Sequence, residues 1–559
     1  MLQHSFRLIA LLSLLLACHH LGTAQESIHP WDVFELQLQA EAPLDNPYVD
    51  ALPENGERYL TVEFSGTEGE AQGQKLLVPG FWDGGQTWKV RFAPPAAGTW
   101  SYRSRSKDPA MDGKQGQLTC VAWNSAELQQ NPTRRGFIRV NQSAERTGRY
   151  FVYADGTPFL WIGDTWWNWT KRGITLDSFQ KLADDRAEKG FTVGQLFFAG
   201  SGWGRPSSLL DRSYTRPDIQ HIQQIEEFIR YANSKGITVW IHAWWSSPRM
   251  NEIVGAENVR RWWRYVVHRL AAYNVIWVLA GEYNMHDYGG FDLEFWKDLS
   301  RMIKAEDPWN RALGTHPTPP AWDGGADAPQ WSTAEILGGE DWLDYHQSQT
   351  GHSRWRNELI PGIVTSSYAV KPARPIVVTE PWYEFVEGNP TAMDIRFGAW
   401  SAMLSGAAGH SYAGGHVWKA HVPEAPAGRD SWPMDLSFDV NTLDYAGARS
   451  LGFMSGFLQN IEWWKLEPHP ELVLDNPSPF CSAVPGREYL LFLRYGGTVR
   501  LDLRQCTPQD EFQVQWVDLV EEKVHRRKSV TGGTIVELSP PEDYPGSLQY
   551  KDWLVHLFK

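Results

Sequence analysis

Between Gln25 and Asn124, apolar and polar residues alternate in short runs such as Arg58-Tyr59-Leu60-Thr61-Val62-Glu63-Phe64 and Thr87-Trp88-Lys89-Val90-Arg91-Phe92, cut apart by Gly, Pro and Asp clusters. A period of two between turn residues predicts strands that bury one face each, and strands so spaced predict a β-sandwich. The stretch from Arg91 to Tyr102 reads as strand, Pro/Gly corner, strand, as in an immunoglobulin-like accessory domain.

From about Pro132 the rhythm changes to strand, loop and helix, repeated. Eight strands are predicted, at Pro158–Gly163, Phe191–Phe198, Ile237–His242, Val275–Leu279, Arg311–Gly314, Trp342–Tyr345, Ile376–Thr379 and Ala408–Tyr412. Helical segments between them, including Thr175–Lys189, Ile219–Ser234, Glu257–Ala272, Leu293–Ala305 and Met393–Ser405, space apolar residues by three and four. Strands alternating with covering helices imply a parallel sheet, and eight such units fit a (β/α)8 TIM barrel. After a helix around Thr442–Asn460 the two-residue alternation returns, in Tyr489–Tyr495, Val499–Leu503, Phe512–Val517 and Trp553–Leu557. The expected fold class is therefore multidomain α/β plus all-β. An immunoglobulin-like sandwich at 25–124 and a second sandwich at 466–559 flank a catalytic barrel at 132–465.

Residues 1–24 depart from these patterns. A polar and basic start (Gln3, His4, Arg7) precedes an apolar run from Leu8 to Ala17, too short to span a bilayer, which reads as a bacterial secretory signal. Gly22-Thr23-Ala24 suits signal peptidase cleavage before Gln25, whereas Leu15-Leu16-Ala17-Cys18 resembles a lipobox that would make Cys18 a lipid anchor; both readings stand. No later apolar run is long enough for a transmembrane helix, so a soluble or lipid-tethered mature protein is expected, and the signal puts its expected location outside the cytoplasm: periplasmic, cell-surface or extracellular. Acidic residues exceed basic ones 66 to 52 with no basic block, which argues against a nucleic-acid partner. Four cysteines are too few for a disulfide scaffold. Cys481 and Cys506 either bridge or stay reduced on neighbouring strands.

The candidate chemistry lies at the strand ends. Val275–Leu279 runs into Glu282 and Ile376–Thr379 into Glu380. Strands of a parallel barrel open their carboxyl ends onto one face, so these acids could meet in one pocket, and paired carboxylates point to glycosidic bond hydrolysis. Capping a helix or pairing with an arginine is the alternative for either. The other strand ends carry Asp164, Trp166 and Trp167, then His242, Trp244 and Trp245, then His316. The sixth and eighth supply Tyr345, His346, Gln347, Gln349, His410, Tyr412, His416 and Trp418. Hydroxyl-binding groups beside indole faces suit a sugar. Neither HExxH nor paired CxxC occurs, and no GxSxG elbow, so neither a metal nor a cofactor is expected.

Five segments in order, Phe159–Trp167, Trp277–Asn284, Gln349–His352, Val378–Glu384 and Gly406–Tyr412, resemble the apiosidase-like (β/α)8 glycoside hydrolases. The flanking sandwiches are similar to the immunoglobulin-like and collagen-binding-type modules of such proteins. The resemblance implies retaining hydrolysis with Glu282 as acid/base and Glu380 as nucleophile, and Tyr383 falls in its fourth segment. The family pattern has aspartate where this chain has Glu282, and the added methylene moves the acid outward, which points to a related but different glycoside. The expected function is thus a secreted, retaining glycoside hydrolase acting on a plant or algal polysaccharide or oligosaccharide. In the expected mechanism Gln349 or Tyr345 keeps Glu380 ionised. A non-catalytic glycan-binding barrel and a metal-dependent barrel hydrolase are the alternatives.

Overall fold

A computed structural model describes residues 27–41, 44–52, 58–202, 205–206, 208–319, 331–418, 440–474, 479–541 and 551–559. The proposed leader, with Cys18 and both cleavage readings, lies outside the described residues.

Eight parallel strands form the centre: β1 (Trp161–Trp166), β2 (Val193–Phe197), β3 (Thr238–His242), β4 (Val275–Val278), β5 (Leu313–Gly314), β6 (His346–Gln349), β7 (Ile376–Glu380) and β8 (Gly409–Tyr412). Each pairs with its chain neighbour and β8 pairs with β1, leaving one gap, between β5 and β6, in a nearly closed barrel. Asp344 spans that gap: its amide donates to the Leu313 carbonyl at 3.0 Å and its Oδ2 accepts the Leu313 amide at 2.8 Å. Helices Leu176–Glu188, Ile219–Ser234, Ala256–Leu270, Leu293–Glu306, Ile360–Ala369 and Ala392–Leu404 cover the outside.

Aromatic side chains fill the lower barrel. Trp161, Trp240 and Tyr345 pack with Ile276, Val278 and Val377, and a small antiparallel sheet (Arg139–Val140, Phe151–Val152, Pro158–Phe159) closes the bottom, its Phe151 ring 5.1 Å from Trp161. With that end solid, only the carboxyl-terminal face can hold a pocket.

The sixth strand corrects the sequence reading. It begins at His346, after the predicted Trp342–Tyr345, because Trp342 and Leu343 bury themselves outside the barrel and Asp344 is used at the gap. A His-Gln-Ser-Gln run carries little hydrophobic signal, yet all four residues are buried with backbone ladder bonds to β7.

Ahead of the barrel, a largely antiparallel five-stranded sheet faces a three-stranded one, with Phe64 and Phe92 stacked 3.9 Å apart between them. The Pro/Gly corner carries the chain from Thr87–Phe92 in one sheet to Gly98–Ser106 in the other. After the barrel, antiparallel sheets of six and three strands enclose Leu491, Val514, Trp516 and Val555. The outer face of the six-stranded sheet, through Leu490, Phe492 and Leu554, packs on Leu451, Met454 and Leu458 of helix Ala446–Gln459. Cys120, Cys481 and Cys506 are free, buried thiols, so the Cys481–Cys506 bridge is absent. Among the described residues no helix is long and apolar enough to cross a membrane.

Candidate active site

Strand parity decides which strand-end residues reach the pocket. Side chains alternate between the barrel interior and the helical layer. In β4, Ile276 and Val278 point inward, and Glu282 follows two residues beyond Ala280 on the same phase. Its backbone is left-handed, with φ of 43°, a conformation that costs a non-glycine residue energy and recurs at functional sites. Glu380 reaches the interior by a different route. Ser348 pairs with Val378 but Gln349 pairs with Glu380, so Thr379 is an extra residue. Such a bulge re-aims the following side chain.

The two acids are dressed differently. Glu282 accepts hydrogen bonds from Trp245 Nε1 at 3.0 Å and Gln349 Nε2 at 3.2 Å, both neutral donors. Glu380 faces two imidazoles, with His352 Nε2 hydrogen-bonded to its Oε1 at 3.1 Å and His316 Nε2 lying 3.2 Å from its Oε2. Burial alone would push the Glu380 carboxyl up, but these imidazoles outweigh it and hold the group at about 2, against an ordinary 4.5.

Aromatic rings join the acids. Trp167 stands edge-on to His242 at 4.7 Å and to Trp245 at 5.4 Å, and its Nε1 donates to Tyr383 OH at 3.2 Å. His316 lies 5.7 Å from both His242 and Trp245, and Tyr383 lies 4.3 Å from His352 and 6.1 Å from Trp418. Glu282, Trp245, His316 and Glu380 therefore form one contiguous wall. Burial, with His316 beside it, holds His242 neutral, and neither of its ring nitrogens has a hydrogen-bond partner among the described residues. A groove of about 630 Å³ opens beside His352, lined also by Arg354, Trp382, Asn389 and Asp394.

The structure thus brings together Glu282, Glu380, Trp167, His242, His316, Gln349, Tyr383 and Trp418. It places the other sequence candidates elsewhere. Asp164 and Trp166 have outward parity: Asp164 accepts Arg186 Nε at 2.6 Å, and Trp166 packs on Phe179 of the first helix. Trp244 donates to Val259 O in the helical layer, and its neighbour Trp245 is the one that turns inward. Tyr345 points inward but too low, its hydroxyl accepting Trp240 Nε1 at 2.7 Å in the barrel core. It does not support Glu380, and Gln349 serves Glu282 instead. His346 lies at the start of β6 near Thr333. His410 faces helix Ala392–Leu404 at Gly398, and Tyr412 donates to Glu384 Oε2 at 2.6 Å. Sequence reasoning gave His352 no role, although Gly351, left-handed at φ 70°, turns the chain straight back from the end of β6. A glycine two positions after a strand-end glutamine would have been the signal, for Gly351 follows Gln349 and Thr350 immediately.

Comparisons with known proteins agree with this architecture. Residues 145–465 match the family described as apiosidase-like, catalytic domain, and residues 27–107 match a domain family of unknown function. No curated relative matches. A glycoside hydrolase family 5 structure from Bacteroides vulgatus covers 77% of this chain and 95% of its own, with TM-score 0.64 and 18% identity. A candidate glycoside hydrolase from the same organism covers 96% of this chain and 100% of its own, with TM-score 0.68 and 16% identity. At such identities these two likenesses concern the fold.

Proposed function

The chain belongs to the apiosidase-like family of glycoside hydrolases, and from that premise we propose that it cleaves its O-glycosidic bond by double displacement, with Glu380 as nucleophile and Glu282 as acid/base. The observation that carries this reading is the unequal dressing of the two acids. Environments that separate the proton affinities of paired carboxyls separate their roles. Two imidazoles keep Glu380 ionised, whereas Trp245 and Gln349 bring neutral donors to Glu282.

In the first step a Glu380 oxygen bonds to the anomeric carbon as the bond to the leaving oxygen breaks, and that oxygen takes the Glu282 proton. In the second, water attacks the glycosyl ester, gives its proton to Glu282, and releases Glu380 as a carboxylate. Trp167, Trp245 and Tyr383 offer ring faces to the sugar, and His242 offers nitrogens to its hydroxyls. The substrate class is a plant or algal polysaccharide or oligosaccharide, and the apolar run at Leu8–Ala17 supports action outside the cytoplasm.

The test is a panel of such glycans, with the first-formed product followed by NMR. The expected product retains the anomeric configuration, and Glu282→Ala lowers kcat by about 10²–10⁴-fold on substrates with poor leaving groups. Inversion, or full activity in a folded Glu380→Ala protein, would overturn the assignment.

A further inference from the structure

Where helix Ala446–Gln459 ends against the outer face of the six-stranded sheet, a cleft of about 480 Å³ is lined by residues of both. That volume falls within the roughly 300–1,000 Å³ of small-molecule sites. Strand alternation builds its floor: in Glu511–Asp518, Phe512, Val514 and Trp516 turn into the core between the sheets, which leaves Gln515 on the outer face. On the adjoining strand His556 pairs with Gln515 and lies stacked against Phe558 at 4.7 Å, while Phe457 from the helix meets the His556 ring edge-on at 5.6 Å.

The charged residues that line the cleft are already paired. Arg487 pairs with Glu462, His556 Nε2 with Glu488 Oε1 at 2.8 Å, and Lys559 Nζ with Asp510 Oδ1 at 2.7 Å. Two polar groups are left over. His556 is 5% exposed, yet its Nδ1 has no hydrogen-bond partner, and the Gln515 carboxamide makes no hydrogen bond with any described residue. Half-buried phenyl faces beside an unspent carboxamide, where the lining charges are already paired, suit a ligand that has apolar C–H faces and hydroxyls but no charge.

We propose that this cleft is a second saccharide-binding site, which holds a neutral sugar unit of a polymeric glycan on the C-terminal sheet, apart from the barrel pocket. It does not depend on which acid does the chemistry, so it stands or falls separately from the mechanism above.

Affinity electrophoresis of the full chain tests it, with neutral xylan, glucomannan, arabinogalactan and laminarin, and with polygalacturonate as a charged polymer. At least one neutral polymer is expected to retard the wild-type chain. Gln515→Ala should weaken that retardation about tenfold, the loss of roughly one good hydrogen bond, without changing the melting temperature or the rate on short soluble oligosaccharides. Phe457→Ala provides a second variant should the first not fold. Absence of retardation by every neutral polymer, retardation by polygalacturonate alone, or equal retardation of wild type and folded variants would overturn the proposal.

Discussion

His316 and His352 approach Glu380 from the chain after β5 and the turn after β6, so the acid's charge is set by residues that no local stretch of sequence brings together. A nucleophile must be ionised, and activity falls as pH drops through its pKa. Removing one imidazole lets burial reassert itself and raises that pKa from about 2 towards or above 4.5. The expected result for His352→Ala is an acid limb of the initial-rate kcat/KM profile shifted upward by at least about one pH unit. An unmoved limb would show that His352 does not tune Glu380. Glu282 depends on a smaller feature. A Cβ at Gly281 would sit 2.0 Å from the Trp245 ring, which packs directly over the glycine. Gly281→Ala must therefore displace the indole that donates to Glu282, and kcat should fall about tenfold or more, as when an oriented catalytic group loses its support. Circular dichroism near the wild-type spectrum together with the lowered kcat checks this; unchanged kcat would mean that Trp245 is not needed.

At the scale of elements, Asp164 shows why a legible barrel gave a partly legible site. Seven of the eight strands and the two flanking sheet regions could be read from the apolar pattern, the polar sixth being the exception. The strand ends were also visible, but their parity was not: Asp164 and Trp166 differ from inward-facing Thr165 by one position, as Trp244 differs from Trp245. The bulge at Thr379 escaped for the same reason, since one inserted residue leaves no compositional trace. Asp164 instead pins β1 to the first helix through Arg186, and both side chains are fully buried. Taking away one member of a buried pair strands the other, so Arg186→Leu should destabilise the chain by about 3–5 kcal/mol in denaturant titration. Had Asp164 bound substrate, a folded Asp164→Asn protein would lose affinity for it. KM within about twofold of wild type is expected instead, because the carboxyl faces the helical layer.

The whole molecule sets a limit that Glu380 does not. A nucleophile with a pKa of about 2 leaves the chemistry available far into acid, but burial holds His410 and His346 at about 3, against an ordinary 6.5. The folded chain keeps these rings neutral, while the unfolded chain takes up protons below about pH 6.5. Each ring therefore removes stability as pH falls from 6.5 towards 3, by about 2–3 kcal/mol between pH 6.5 and 4.5. A carboxylate adds to this further down. Glu306, which ties the barrel to Arg58 of the N-terminal sheets at 2.9 Å, is held at about 2, so its contribution is lost as pH falls from 4.5 towards 2. All three act in the same direction, and the melting temperature should decline steadily from neutral pH to pH 4 while initial rates persist. His410 offers the single change that separates this from general acid damage, because its Nδ1 has no partner and its ring faces helix Ala392–Leu404. His410→Leu removes the titrating group and should flatten the decline by several degrees without altering kcat. A melting temperature independent of pH between 7 and 4, or an equal decline in the variant, would show that buried histidine protonation does not govern acid stability.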